Sequence, residues 1–591
     1  MTHPRPQTGA IGLVATLAGV IATAAAAGPP DLILHGGRIC SVDAAFTVHE
    51  ALAIADGRVA RVGSDAEVLA GRGPATTVRD LAGRFVLPGL IDSHVHPASA
   101  SMEEWDHEVP AFDSITDVLA YVRRRAAVVD DGDWIVVRQV FITRLAERRY
   151  PTRAELDEAA PLNPVMFSTG PDASLNSAAL VACGIDRDFR PSTPSGRVER
   201  DPASGEPTGI LRGAAHFVKP TERSRPATQA DRDDRLELLC RDYNAAGITG
   251  IVDRGATADS LASFARLRDA ARLTVRVAAS HRLPETGAGE EEVLQAIAAI
   301  GRHPLRAPDD RLRIIGVKAF LDGGMLTGSA FMREPWGVSA IYSISDPGYR
   351  GLRYIEPEPL RRMVEATGAA GMQFTAHAVG DGAVESLLDA YEAVAGRAPI
   401  VALRHCITHS NFMSSESVER AVRLGVVMDI QPVWLWLDGR TLLDQFGADR
   451  LRWFQPLRSI FAAGGLAGGG SDHMRKIGRH RGINPYDPFL GMATAITRIG
   501  RGMKEPLHPE EALSREQAIR FYTANNAAHM FLEGSIGSLE QGKLADFVIL
   551  DRDVLTCPVE EIRDARVLET FLGGRRVFPA DDGAAASEPH R

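Results

Sequence analysis

Apolar, β-branched runs recur through the middle of the chain, separated by stretches in which apolar residues return with a helical period. The runs read as strands are "FVLPGLIDSHVH", "GITGIVDRG", "LTVRVAASH", "LRIIGVKAFLDGG", "QFTAHAVGD", "ALRHCITHS", "VVMDIQPVW" and "LAGGGSD". Helices are predicted over residues 357–371, 382–395, 415–424 and 455–464, and from Ser514 to Phe531. Strands apolar on both faces and alternating with helices predict a parallel sheet closed into a (β/α)8 TIM barrel rather than an open sheet. The two ends of the chain differ from the middle. "DLILHGGRICSV", "ALAIADGRVARVG" and "TTVRDLAGRFVLPG" are short β-rich runs broken by Gly and Asp-Gly turns, and "KLADFVILDRD" and "VLETFLGGRRVF" resemble them near the C-terminus. These runs predict a small β-sandwich built from residues 28–88 and 533–591, flanking a barrel over 89–532.

Between the first and second barrel strands lies an insertion over about residues 98–245. It holds one β-like run, "DWIVVRQVF", and a polar loop, "TPSGRVERDPASGEPTG". A connection that long is a subdomain in its own right, and its position at a strand's C-terminal end puts it over the barrel mouth. It is expected to be a lid that sets specificity.

Composition narrows the function classes. At 591 residues the chain exceeds one ordinary core, so several domains are expected. A net charge of −10 and the lack of a basic block argue against nucleic acid as a main partner, and a small-molecule substrate is the expectation. Cys40, Cys183, Cys240, Cys406 and Cys557 are scattered, with no CxxC pair, so neither a zinc ribbon nor a disulfide framework is indicated. Residues 1–27 have the layout of a secretory signal peptide: His3 and Arg5, an apolar stretch from Ala10 to Val20, then small residues up to Ala27. No later segment has the roughly 18 unbroken apolar residues of a membrane span. The mature chain is therefore expected to be periplasmic or secreted, with a cytoplasmic location as the alternative. Homo-oligomerisation is left open.

Barrel enzymes place their chemistry at the C-terminal strand ends. Here those ends carry His94 and His96, Lys318, His377, His409 and Asp472. The two-residue period of a strand puts His94 and His96 on one face, both able to reach one metal. Each residue alone has a bland reading: a histidine satisfied in the core, or an aspartate capping a helix. Lys318 is harder to dismiss, since "IIGVKAFL" would bury an amine in an apolar strand at considerable cost. Five strand ends offering only imidazole, amine and carboxylate point to a shared site.

With these motifs the chain resembles the amidohydrolase superfamily, and more narrowly its amidohydrolase-3, YtcJ-like branch. The resemblance rests on "VLPGLIDSHVHP", "VKAFLDGG", "HAVGDGA", "RHCITHS", "QPVWL", "GSD", "DPFLGMATAITR" and "TANNAAHMFLEGSIGSLEQGKLADFVILDRD". It implies one or two divalent metal ions, commonly zinc. His94 and His96 would bind the more buried ion and His377 and His409 the second. Lys318 would bridge them as a carbamate, and Asp472 would bind metal while shuttling a proton. The implied reaction is hydrolysis of an amide, N-acyl or N-formyl C–N bond. The alternatives are an ester, lactone or carbamate hydrolase using the same site, and a non-catalytic small-molecule-binding protein.

The chain departs from the branch in places. In "RHCITHSN" both His405 and His409 are candidates, and their even spacing does not separate them; the family register favours His409. "STGPDASLNSAAL" lacks the branch's usual histidine but keeps Asn176, and "GGMLTGSA", after Asp322, lacks an arginine. Asn176, Asp322, Trp434, Trp436 and His473 are the residues expected to face substrate, with Arg475 and Lys476 beside His473 as attractors for a carboxylate.

Overall fold

The computed structural model describes residues 28–580 except 192–195, 222–225, 285–287 and 343; the leader predicted over 1–27 lies outside the described residues. Eight strands form one parallel sheet in chain order: β1 Leu90–Val95, β2 Ile248–Ala256, β3 Arg276–Arg282, β4 Leu312–Phe320, β5 Gln373–Ala378, β6 Cys406–His409, β7 Val427–Ile430 and β8 Ala467–Gly469. The chain just beyond β8 closes the ring on β1. Asp472 N donates to His94 O at 2.8 Å, and His96 N donates to His473 O at 2.7 Å. The side chain of Asp92 adds to the seam, accepting from His94 N at 2.9 Å and Ser471 N at 3.0 Å. The predicted TIM barrel is the observed fold.

The strands form because both of their faces are apolar and covered. Every residue of β4 from Ile314 to Ala319 is buried, and Leu312, Ile314, Phe374, Ile407 and Met428 join one core with the surrounding helices. Each such side chain contributes about 1.5–3 kcal/mol by leaving water. Side-chain caps set several of the helix starts. Thr257 before Ala258–Asp269 and Ser414 before Ser415–Arg423 both make reciprocal capping boxes.

The sandwich is assembled from both chain ends, as its β-rich runs predict. Phe85–Pro88 pairs antiparallel with Phe547–Leu550 in a six-stranded sheet, and a four-stranded sheet of residues from 32 to 80 lies across the shared core. In that core Phe547 and Phe571 stack at 4.3 Å. A buried ion pair pins the sandwich to the barrel: Arg276 on β3 donates from Nε to Asp546 at 2.6 Å and from a terminal nitrogen at 2.9 Å.

Three local readings are corrected. The polar stretch read as a loop after residue 191 contains a hairpin, Arg197–Arg200 with Pro207–Arg212, which completes a five-stranded sheet within the insertion. Strand seven stops at Ile430 rather than running to Trp434, because Pro432 opens the helix Pro432–Arg450. The helix predicted from Ser514 to Phe531 is two, Arg515–Phe521 and Ala524–His529, broken by non-helical backbone at Thr523. All five cysteines are free, in line with the absence of a disulfide pattern.

Candidate metal centre

The C-terminal strand ends converge on the floor of a cavity of about 990 Å³, which is lined by His94, His96, Lys318, His377, His409 and Asp472. The β1–β8 closure holds the first group together. His94 Nε2 lies 3.2 Å from His96 Nε2, and Asp472 Oδ1 lies 3.3 Å from the first and 3.2 Å from the second. Close approach of the backbone makes this possible: a Cβ on Gly470 would meet His94 at 2.8 Å, and one on Gly255 would meet His96 Nδ1 at 2.8 Å. Asp472 itself has φ +55°, a left-handed conformation that an aspartate tolerates and that turns its carboxylate back toward the histidines.

Three N/O donors spaced by 3.2–3.3 Å match one face of a small coordination tetrahedron. Zinc bonds of about 2.0–2.1 Å put adjacent tetrahedral ligand atoms roughly 3.3–3.4 Å apart. Two imidazoles and a carboxylate are also the donor types that zinc takes, so these residues fit a divalent ion.

The remaining predicted ligands sit beside this triangle. The His409 ring centroid lies 4.9 Å from that of His94 and 4.5 Å from that of His377. His377 Nε2 faces Gly323 O at 3.3 Å and Asp322 Oδ1 at 3.6 Å. Asp322, which lines the cavity, accepts from the main-chain nitrogens of Phe331, Val379 and Gly380 and so ties the loop after β4 to that after β5. His405 is separated from the site. Its Nδ1 accepts from Phe374 N at 3.0 Å and its ring stacks on Tyr391 at 5.0 Å. The left-handed backbone at His409, φ +82°, takes that side chain out of the strand's alternation, which even spacing could not reveal.

Burial dominates the electrostatics. It holds His94 and His409 well below the ordinary imidazole value and His377 down at about 3, with the nearby Lys318 acting the same way on all three. These imidazoles are therefore neutral, the form that binds metal. Burial also pushes the Lys318 amine down to about 7 and raises the carboxyl of Asp472.

Several buried polar groups beneath the cavity are absent from the sequence reading. Asp429 on β7 accepts from His94 Nδ1 at 2.9 Å and Ser93 Oγ at 2.7 Å. Gln431 donates to Asp429 at 2.9 Å and accepts from His409 Nδ1 at 2.7 Å. Arg254 lies fully buried with its Nε 3.5 Å from Asp429. The available signal is "DIQ", two polar residues two apart in an apolar strand, the same pattern that marks His94 and His96.

The cavity wall carries Phe141, Met166 and Ala215 from the insertion, Phe320 and Leu326 from β4 and its loop, and Trp434 stacked on His409 at 4.8 Å. Three residues expected to face substrate do not. Asn176 is a buried helix cap that accepts from Ala179 N and Val165 N and donates to Ala160 O and Asn163 O. His473 is buried between Tyr243 Oη, at 2.8 Å, and the carbonyls of Arg475 and Lys476. Trp436 points away, its ring under Arg563. Lys476 is no substrate attractor either, since its Nζ donates to Val109 O and Pro110 O. Arg475 reaches the cavity but is paired with Glu103.

The sequence model of the amidohydrolase family matches residues 77–578. The chain belongs to the amidohydrolase family. As a member it is a hydrolase of the class that acts on carbon–nitrogen bonds. It is 30% identical over 560 residues to an N-substituted formamide deformylase of Arthrobacter pascens, covering 92% of this chain and 97% of that one. It is 27% identical to the putative amidohydrolase YtcJ of Bacillus subtilis, over 92% and 99% of the two chains. Among solved structures, an uncharacterized metal-dependent hydrolase from Pyrococcus horikoshii shares the fold, with a TM-score of 0.65, 23% identity, and coverage of 90% of this chain and 99% of that one. Within this amidohydrolase the His94–His96–Asp472 triangle is the part of the site whose geometry already suits an ion.

Proposed function

We propose that this amidohydrolase uses one or two zinc ions to hydrolyse the C–N bond of a small amide, N-acyl or N-formyl compound. The observation that carries the reading is the 3.2–3.3 Å triangle of His94 Nε2, His96 Nε2 and Asp472 Oδ1 on the floor of the cavity. His94, His96 and Asp472 would hold one ion. His377 and His409 would hold a second, with Lys318 as a carbamate between them. Such ions supply Lewis acidity toward a carbonyl oxygen and lower the pKa of water toward about 7.

The chain's own residues would do the rest. Asp472 sits where an Oδ atom can take a proton from the attacking water and return it to the leaving nitrogen. Burial makes its carboxylate more basic than an exposed one. Trp434, Phe320 and Leu326 line a wall suited to an apolar substituent on the scissile amide. The relative named as an N-substituted formamide deformylase supports testing N-formyl substrates first. The leader-like residues 1–27 support export, which amino-terminal sequencing of protein recovered outside the cytoplasm would test.

The test is a hydrolysis screen of the zinc-loaded chain against N-formyl amines, N-acyl amines and matched esters, with Asp472→Asn alongside. Amide turnover by wild type, lost in D472N with metal retained, is the expected result. Turnover of esters alone, or full activity in D472N, would refute the reading.

A further inference from the structure

His94 and His409 are joined beneath the cavity by a continuous set of hydrogen bonds whose polarity follows once Asp429 is ionised. It starts at Asp429, which is buried and has Arg254 Nε at 3.5 Å as countercharge. An ionised carboxylate only accepts hydrogen bonds. The His94 Nδ1 facing it at 2.9 Å must therefore carry the proton, leaving Nε2 bare toward His96 and Asp472. The Gln431 amide must likewise turn its nitrogen to Asp429 Oδ1, at 2.9 Å. That turns Gln431 Oε1 to His409 Nδ1, at 2.7 Å, so this nitrogen too must be protonated and the Nε2 of His409 bare. Asp429 lies on β7 and Gln431 just past its end, at the N-cap of the helix Pro432–Arg450, and the hydrogen bond between their side chains holds them together beneath the cavity. All four side chains are at most 3% exposed.

We infer that Asp429 is a positioning residue for histidines in both halves of the metal centre, acting on His94 directly and on His409 through the amide of Gln431. The inference rests on the metal-centre reading above. A neutral histidine binds metal only through the nitrogen that lacks a proton, so a single carboxylate presets both ligands. Removing its charge has a consequence at a distance. In Asp429→Asn the new amide nitrogen would face Gln431, whose own amide would then turn over and present N–H groups to His409 Nδ1. His409 would be driven to the tautomer with Nε2 protonated and would lose its free donor. The pair can also be exchanged. In the double variant D429N/Q431E, the amide now at position 429 would accept from His94 and donate to the carboxylate now at position 431. That carboxylate would accept from His409 Nδ1. The direction of every bond is the same as in wild type, while the charge moves from beside His94 to beside His409.

The test titrates metal-free protein with zinc against a chromophoric chelator, which reports the number and affinity of binding events without any assay of turnover. Wild type is expected to show two events. D429N should weaken both by about 10- to 100-fold, the His409 event through the reversed amide and the His94 event through loss of the carboxylate that makes its imidazole a more basic ligand. Gln431→Met should weaken only one, and D429N/Q431E should restore the event that involves His409. If D429N weakens a single event, or if the exchange leaves both weak, the inference is overturned. Should D429N fail to fold, Q431M and the exchange still decide, since a Q431M chain with two wild-type affinities overturns it. A wild-type chain that takes up no zinc refutes the metal-centre reading itself, a result distinct from any of these.

Discussion

Asn484 Nδ2 donates to the main-chain carbonyl of Asp472 at 2.8 Å. Both residues are buried, and Asp472 is one of the few non-glycine residues with a left-handed backbone in the site. Asn484 is held in turn by the insertion: Arg144 donates to Asn484 Oδ1 at 3.1 Å, to Ile483 O at 2.6 Å and through two nitrogens to Asp438. The same guanidinium packs over Phe141, which lines the cavity. The insertion thus reaches the candidate general base through two side chains.

Asn484→Ala should leave the Asp472 carbonyl unsatisfied, at about 1–3 kcal/mol. Arg144→Met should strand the buried Asp438 carboxylate, at about 3–5 kcal/mol. Urea melts check both values. Because Asp472 loses its support, kcat should fall in N484A more than KM rises, and an unchanged kcat would separate the insertion from the chemistry.

Lys318 is 1% exposed within the buried run Ile314–Ala319, and an amine there opposes folding. Lys318→Met should therefore raise the melting temperature of the metal-free protein while lowering its zinc uptake and its activity. Differential scanning calorimetry and metal analysis read the two effects. Isotopically labelled bicarbonate should give a carbamate carbon signal in wild type that is missing from K318M.

Burial keeps His405 neutral down to about 4 and His529 down to about 3, against an ordinary value of 6.5. Below 6.5 the unfolded chain takes up protons that these two refuse in the native state, so stability falls with pH from 6.5 down to about 4 for His405 and about 3 for His529. Above 6.5 neither histidine contributes a slope. Urea midpoints across that range should drop on acidification, and His405→Gln should flatten the drop. An equally steep curve in H405Q would assign the slope to other groups.

Much of the barrel and of the site is legible in the sequence because strand alternation and burial are strong, local signals. His94 and His96 stand out as polar residues closing an apolar strand, and Lys318 as a cation inside one. Where sequence and structure part, a backbone change intervenes. Pro432 starts a helix, so Trp434 and Trp436 lie roughly 200° apart instead of on one strand face, and only the first meets the cavity. Asn176 resembles a site residue in sequence, although its side chain serves the helix that it caps. His473 follows a left-handed Asp472 and is turned to Tyr243 rather than to the cavity. Asp429 and Gln431 stay hidden because a polar pair at a strand's end names no partner until the neighbouring strands are in place.

The proposed hydrolysis requires a metal ion held at His94, His96 and Asp472. Its most direct test is a zinc titration of the metal-free protein, following bound metal and amide hydrolysis in the same samples, with His96→Ala as control. Activity should be absent without metal, rise in step with zinc uptake, and be lost together with that uptake in H96A. Undiminished hydrolysis by the metal-free chain, or by H96A, would contradict it.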